Sequence, residues 1–371
     1  MEEPFLLKNL YNAPFFENFA KIIGTVDASV KPKDFINKIF DKNWEEKSLK
    51  ERMRHATETL HEFLPANFKK ATPLLKKICK IIKQQNDGKE LEYLFIPDYV
   101  ALYGIDHYEE SINLLAVITP LSSAEFGVRP FIVKYPKKMM AQMLLWADHK
   151  NEHIRRLASE GCRPLLPWGK KLNALNEQPK PILPILKKLK NDPSEYVRRS
   201  VANNLNDLSK NHPDLVLKIA KEWMGKTSET DKLVKHALRT LLKKGDTTAM
   251  RIFGFGDPAS VLISNLNITP DGISIGDSAQ FSFDLILKDK SPKLLRLEYI
   301  IGFLKANGSH SKKVFQIKEG EFQAHKNYRI DKKQHFKNLT TRKHYPGPHF
   351  LTIKVNGIEK QTVAFSLSLG V

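Results

Sequence analysis

An α-helical solenoid followed by a β-sandwich is the fold class this 371-residue chain predicts, and three observations carry it. His153-Ile154-Arg155-Arg156 and Tyr196-Val197-Arg198-Arg199 are one pattern written twice, 43 residues apart. That interval lies inside the roughly 40–47 residues of HEAT and armadillo repeats, which stack helix pairs so that one face becomes a binding surface. Apolar residues also recur at three- and four-residue spacing from the N-terminus to about Phe255, and beyond Gly254-Phe255-Gly256-Asp257-Pro258 the spacing turns to alternation.

The helical spacing is clearest in Phe35-Ile36-Ile39-Phe40, Leu74-Leu75-Ile78-Ile81-Ile82 and Leu215-Leu217-Ile219-Ala220. It predicts about a dozen helices, with breaks at Pro65, Pro97, Pro130, Pro136, Pro193 and Pro213, where a ring without an N–H ends the ladder. A looser third copy, Leu233-Val234-Lys235-His236-Ala237-Leu238, follows 37 residues after Val197. The repeated Arg-Arg pairs predict a concave face lined with arginine.

Alternation marks Ile273-Ser274-Ile275, Phe281-Ser282-Phe283-Asp284-Leu285, Lys313-Val314-Phe315-Gln316-Ile317 and His349 through Val355. About seven short strands in a little over a hundred residues read as a β-sandwich. Tyr345-Pro346-Gly347 resembles the tyrosine corner of immunoglobulin-like domains, although no cysteine pair accompanies it. The expected domains are residues 1–256, a helical-repeat region, and 257–371, the sandwich.

Sixty Lys and Arg against 41 Asp and Glu give a formal charge of +19, with an ordinary hydrophobic share of 41%. An excess of this size points to a polyanion, with nucleic acid the commonest; an anionic membrane surface and a merely solvated basic surface are the other readings. Cys79 and Cys162 stand far apart without a neighbouring His cluster, which supports neither a disulfide framework nor a zinc site. The acidic opening Met1-Glu2-Glu3-Pro4 is unlike a signal peptide, and no apolar run approaches the roughly 18 residues of a membrane span. A soluble, cytoplasmic protein is the expectation.

Arg156 and Glu160 lie four apart and share a helix face; Arg199, Asn203 and Asp207 repeat the step. Surface i,i+4 ion pairs are one reading of them, and carboxylates aimed into a basic concavity to stabilise a cation are the other. Glu125 in Ser122-Ser123-Ala124-Glu125 has capping-box spacing, so capping is its first reading. Trp168 follows Cys162-Arg163-Pro164-Leu165-Leu166-Pro167, whose two prolines force a loop. An indole there serves either to stack on a sugar or base or to fill a core, whereas Trp146 and Trp223 sit in apolar helical runs and read as core. No complete Gly-rich phosphate loop, Gly-x-Ser-x-Gly elbow or His-Glu-x-x-His helix is present. The twelve scattered histidines and the pairs Lys69-Lys70, Lys76-Lys77 and Lys187-Lys188 read mainly as solvated surface.

Three strings resemble the AlkC branch of bacterial HEAT-like-repeat DNA glycosylases. They are Ser123 through Phe131, Arg155 through Pro164 with Leu166-Pro167-Trp168, and Val197 through Asp207. The resemblance spans most of the first 255 residues, and a subset of that branch carries an immunoglobulin-like C-terminal domain. It implies hydrolysis of the N-glycosidic bond of 3-methyladenine and 3-methylcytosine in duplex DNA, without metal or cofactor and without flipping the base. By the same resemblance Glu125, Glu160 and Asp207 form the acidic catalytic set and Trp168 lies next to the deoxyribose. Arg156, with Arg163 and Arg199, is a DNA-side candidate.

N3-alkylation makes the base cationic and a good leaving group, and bond breaking moves positive charge onto the sugar in an oxocarbenium-like transition state. Carboxylates beside that sugar stabilise it more than the ground state, and one of them orients or deprotonates the attacking water. The sandwich carries 17 Lys and Arg against 10 Asp and Glu in residues 257–371. That bias makes Lys312, Lys313, Lys332, Lys333, Arg342 and Lys343 candidates for clamping the duplex, with an inert stabilising domain the alternative. A monomer is expected, with no obligate protein partner and no membrane association. The rival from another class is a non-catalytic HEAT-repeat scaffold, whose acids serve as caps and ion pairs, or a DNA-structure binder without excision.

Overall fold

The computed structural model describes residues 5–85, 88–270, 272–339 and 342–369; the acidic opening Met1-Glu2-Glu3-Pro4 lies outside the described residues. Sixteen α-helices are present among the described residues: α1 (Ala13–Val26), α2 (Pro32–Ile39), α3 (Leu49–Glu62), α4 (Phe68–Gln85), α5 (Phe95–Tyr103), α6 (Tyr108–Ile118), α7 (Arg129–Lys134), α8 (Pro136–Trp146), α9 (Glu152–Glu160), α10 (Asn173–Glu177), α11 (Leu183–Leu189), α12 (Glu195–Leu208), α13 (Pro213–Trp223), α14 (Ser228–Ala237), α15 (Arg239–Lys244) and α16 (Thr247–Ile252). The excess over a dozen comes from α7, α10, α15 and α16, each of five or six residues and too short for periodicity to register.

Compactness divides the chain into Met1–His212 with Gly225–Ala237, and Pro213–Met224 with Leu238–Val371. The change from helix to strand falls elsewhere, between Ile252 and Val261.

In the first unit the three repeat copies lie on α9, α12 and α14, and α12 packs against both of the others. The first arginine of each pair ties its helix to the turn that enters it. Arg155 Nη1 donates to the carbonyls of His149 and Lys150, both at 3.0 Å, and Arg198 Nη1 to those of Asp192 and Pro193 at 2.7 and 2.9 Å. The steps back along the chain are identical in the two copies. The expected arginine-lined face is therefore corrected: half of those guanidinium groups are spent inside the repeat.

Pro65 and Pro193 lie in connections between helices, as expected, but the other four prolines behave differently. Pro97, Pro130, Pro136 and Pro213 stand in the first turn of α5, α7, α8 and α13. A first-turn N–H has no intrahelical acceptor, so proline loses nothing there and its fixed φ favours the start. Trp146 and Trp223 are core residues, as expected, at 5% and 3% exposure.

The second unit holds β1 (Val261–Thr269), β2 (Gly272–Ser274), β3 (Ser278–Leu287), β4 (Lys293–Leu304), β5 (His310–Phe322), β6 (Asn327–His335), β7 (Gly347–Val355) and β8 (Ile358–Ser368). They form a three-stranded sheet, β1-β3-β6, and a five-stranded one, β2-β8-β7-β4-β5. All pairings are antiparallel except β2 with β8. Phe281, Phe283, Leu297, Ile301, Leu351 and Ile353 meet between the sheets. The other face of β4 is buried as well, around Arg296 and Glu298, which pair at 2.5 Å.

Lys354 on β7 donates to the Lys243 carbonyl at the end of α15 at 2.7 Å, and the Gly245 and Gly357 backbones lie in contact. A Cβ on Gly245 would stand 2.6 Å from the Gly357 oxygen. At the expected tyrosine corner the Tyr345 ring lies under Lys343 and the Tyr345 carbonyl accepts from His349, while among the described residues its hydroxyl makes no hydrogen bond.

Two histidines read as surface are buried instead, His344 and His349, at 4% and 2% exposure. His349 accepts the Leu304 N–H at Nδ1 and donates from Nε2 to the Tyr345 carbonyl, which defines a neutral tautomer. Burial holds both imidazoles below their ordinary pKa of 6.5. Their contribution to stability is complete above the unfolded value and is lost as pH falls through the lowered folded values, because the unfolded chain then binds protons the folded one refuses. The melting temperature of this unit is expected to fall between about pH 7 and about pH 5, with a flatter dependence in His344→Gln/His349→Gln. Calorimetry across that range checks it.

Candidate active site

The helix α9 is entered through Asn151, whose side chain accepts the His153 N–H. From that start Arg156 and Glu160 come to one face, and Arg163, just past the helix end, continues it. On α12, Tyr196, Ser200 and Asp207 share the face turned to α9 by the same spacing. Asn204 fixes the two helices together by donating to the Ser159 carbonyl at 2.9 Å.

These side chains form a chain of alternating charge. Glu125 accepts from Arg156 Nη1; Arg156 Nη2 lies 3.4 Å from Glu160 Oε1, and that oxygen accepts from Arg163 Nη1 at 2.6 Å. Arg163 then donates from Nε and Nη2 to the two oxygens of Asp207, at 3.0 and 3.4 Å. Three carboxylates and two guanidinium groups leave one net negative charge. Ser200 Oγ donates to Glu160 Oε2 at 2.6 Å, and Ser123 Oγ to Glu125 Oε2 at 2.8 Å. Both Glu160 oxygens are thus engaged, while Glu125 Oε1 has no partner among the described residues.

Glu125 and Glu160 open onto a cleft of about 260 Å³, bounded also by Glu90, Phe126, Arg163 and Trp168. That is well above the space one water needs, room for a sugar face and a nucleophile. Trp168 stands at its edge, 58% exposed. Asp207 does not border the cleft: it is 2% exposed and lies behind Arg163. The three acids are therefore joined through arginines instead of meeting at one point.

Glu125 does not cap a helix, which corrects its first reading. Ser122 Oγ turns away to the Glu90 carbonyl at 2.8 Å, and residues 124–128 form turns, with α7 starting only at Arg129. The local pattern was right for a box, but the guanidinium of Arg156, 31 positions away, takes the carboxylate. Arg156 also lies 5.0 Å over the Tyr196 ring. Arg199 is not brought to the acids: it is exposed and borders a separate concavity with Arg198, Lys232 and His236.

Sequence reasoning missed Ser200, Tyr196 and Glu90. Ser200 was findable, since it falls four residues after Tyr196 and seven before Asp207; Glu90 belongs to no local pattern. Burial pushes the Cys162 thiol up to about 12, which leaves it no thiolate for nucleophilic work near neutral pH. Among the described residues no group of three or more His, Cys, Asp and Glu is placed to hold a metal ion.

In the sandwich, Lys312 is paired with Glu359 at 3.1 Å and Arg342 lies 4.6 Å over the Phe303 ring. Lys313 lies 5.5 Å from the Phe315 ring centre and Lys343 5.7 Å from that of Tyr345. Lys332 and Lys333 stand exposed on β6.

Residues 121–243 match the family described as DNA alkylation repair enzyme, and residues 262–369 match the C-terminal Ig-like domain of uncharacterised protein YhaZ. The fold and these matches define the class, an enzyme of DNA alkylation repair. Over 361 residues the chain is 44% identical to uncharacterized protein YhaZ of Bacillus subtilis (strain 168), covering 97% of this chain and 99% of that one. A solved structure of Pseudomonas fluorescens alkylpurine DNA glycosylase AlkC, bound to DNA containing an abasic site analog, superposes with a TM-score of 0.93. The two are 36% identical, with 98% of this chain and 100% of that one covered. The chain belongs to the AlkC-type family of DNA alkylation repair glycosylases.

No helix among the described residues is long and apolar enough to cross a membrane.

Proposed function

We propose that this chain binds duplex DNA carrying cationic N3-alkylated bases, 3-methyladenine and 3-methylcytosine, and hydrolyses their N-glycosidic bonds. The observation that carries the reading is the alternating chain from Glu125 to Asp207, which presents two carboxylates to a cleft beside an exposed indole.

The roles divide by hydrogen bonding. Glu125 has one oxygen without a partner among the described residues, so it holds and deprotonates the attacking water. Glu160 has both oxygens committed to Arg163 and Ser200, so it acts on the sugar through its field as positive charge develops there. Asp207 holds Arg163 in place, and Trp168 packs against the deoxyribose. The lesion arrives charged and ready to leave, so no general acid and no enclosing base pocket are required, and the base is cleaved without being flipped. Lys332 and Lys333, free on the sandwich surface, help hold the duplex.

The test is release of 3-methyladenine and 3-methylcytosine from alkylated duplex DNA, with affinity measured on the same preparation. Release by the wild type is expected, together with affinity that drops steeply as salt rises, since phosphate contacts displace counterions. Salt-dependent binding with no released base would leave a DNA-binding solenoid and end the enzyme reading.

A further inference from the structure

Trp168 combines two features that a free loop would not keep. Its backbone is left-handed, with φ at 65°, a region that bulky residues rarely occupy. Its indole is 58% exposed, whereas Trp44, Trp146 and Trp223 are 3%, 5% and 3% exposed. An apolar cavity of about 280 Å³ borders the same loop, with Leu7, Leu10, Met53, Leu94 and Phe126 in its wall and Trp168 itself among the residues around it. Folding the indole over that cavity would remove a large apolar surface from water. The loop therefore needs a restraint.

Two cations outside the acid chain supply it. Lys50, in the first turn of α3, donates from Nζ to the Trp168 carbonyl at 3.0 Å, across 118 positions of sequence. Arg129, at the start of α7, is 1% exposed. Its Nη1 donates to the carbonyls of Gly161 and Arg163 at 3.0 and 2.9 Å, and its Nε to that of Lys170 at 2.6 Å. One buried guanidinium thus grips both ends of the loop 161–170. Gly169 lets the backbone lie against it, since a Cβ there would come within 3.2 Å of the arginine Nε. No carboxylate pairs with Arg129 among the described residues, so its charge is spent on backbone carbonyls, at the cost of desolvation that draws its pKa down to about 10.

We propose that Lys50 and Arg129 are positioning residues, which hold loop 161–170 so that Trp168 stands open at the edge of the acid cleft instead of closing over the apolar cavity. This rests on reading Trp168 as the aromatic that meets DNA, and the experiment separates the two claims.

Because Trp168 is the exposed one of the four tryptophans, its fluorescence is obtained by subtracting a Trp168→Phe spectrum and is read by emission wavelength and acrylamide quenching. Lys50→Met is expected to shift that emission to the blue and reduce its quenching. Single-turnover release of 3-methyladenine should fall between about tenfold and a hundredfold, the scale of small misplacements near a reacting centre. Affinity for undamaged duplex should change by less than about threefold, as for loss of one weak phosphate-range charge, and Lys50→Arg should restore both signals. Arg129→Lys should act in the same direction; if it does not fold, the Lys50 variants decide. An unchanged indole signal in Lys50→Met overturns the proposal whatever happens to rate or affinity. If the wild type releases no base, the glycosylase reading fails while the indole signal still decides the positioning.

Discussion

Glu125→Gln and Glu160→Gln are each expected to lower single-turnover release of 3-methyladenine by about a hundredfold to a thousandfold while DNA affinity is retained. Each removes one negative charge from the carboxylates that border the cleft, so a cationic sugar is met by less negative surroundings. Gln keeps the size and one acceptor, so Ser200 still has a partner at 160 and Ser123 at 125. Full activity in either variant would remove that residue from the mechanism. A loss of affinity matching the loss of rate would turn the site into a binding surface.

The largest effect on folding is expected from Arg163→Met. Arg163 is 6% exposed and serves both Glu160 and Asp207. Its removal leaves two buried carboxylates facing each other, with Arg156 at 3.4 Å and Lys210 at 3.8 Å as the residual cations. Breaking a buried pair from one side costs about 3–5 kcal/mol, or roughly 6–20 °C in Tm for a unit of this size. Arg163→Met/Glu160→Gln/Asp207→Asn should recover much of the loss, because the cost arises from uncompensated charge instead of lost packing. A Tm for Arg163→Met within about 2 °C of wild type would show that water, not Arg163, solvates those acids.

How much of this was legible in the sequence depended on whether the responsible interactions were local. Helix geometry alone put Arg156 and Glu160 on one face of α9, whereas the same step on α12 grouped Asp207 with Arg199, which turns to a separate concavity while Asp207 pairs with Arg163. Strands whose second face carries polar side chains, such as Ser282 and Asp284 on β3 or Thr352 and Lys354 on β7, betrayed themselves by alternation even where those side chains are buried. β4 did not, because both of its faces are buried and a strand of that kind has no period to read. Glu125 looked like a cap because a capping box is a four-residue pattern, and nothing within four residues reveals Arg156. Arg129 and Lys50 were silent for the same reason: each acts on carbonyls, which every residue possesses, so no side-chain pattern announces the contact.

The touching glycine turns at Gly245 and Gly357, both with positive φ, bear on how such a protein can be recombined. The hairpin between β7 and β8 rests on the turn that ends α15, with no room for a side chain on either partner, and Lys354 closes the seam from beside it. The sandwich is thus not a bead that can be unthreaded at residue 257 and strung onto another solenoid. A graft or a chimera would have to carry α15 and α16 along with it, and a lineage that lost the sandwich would be expected to rebuild that helical turn with an ordinary residue in place of Gly245.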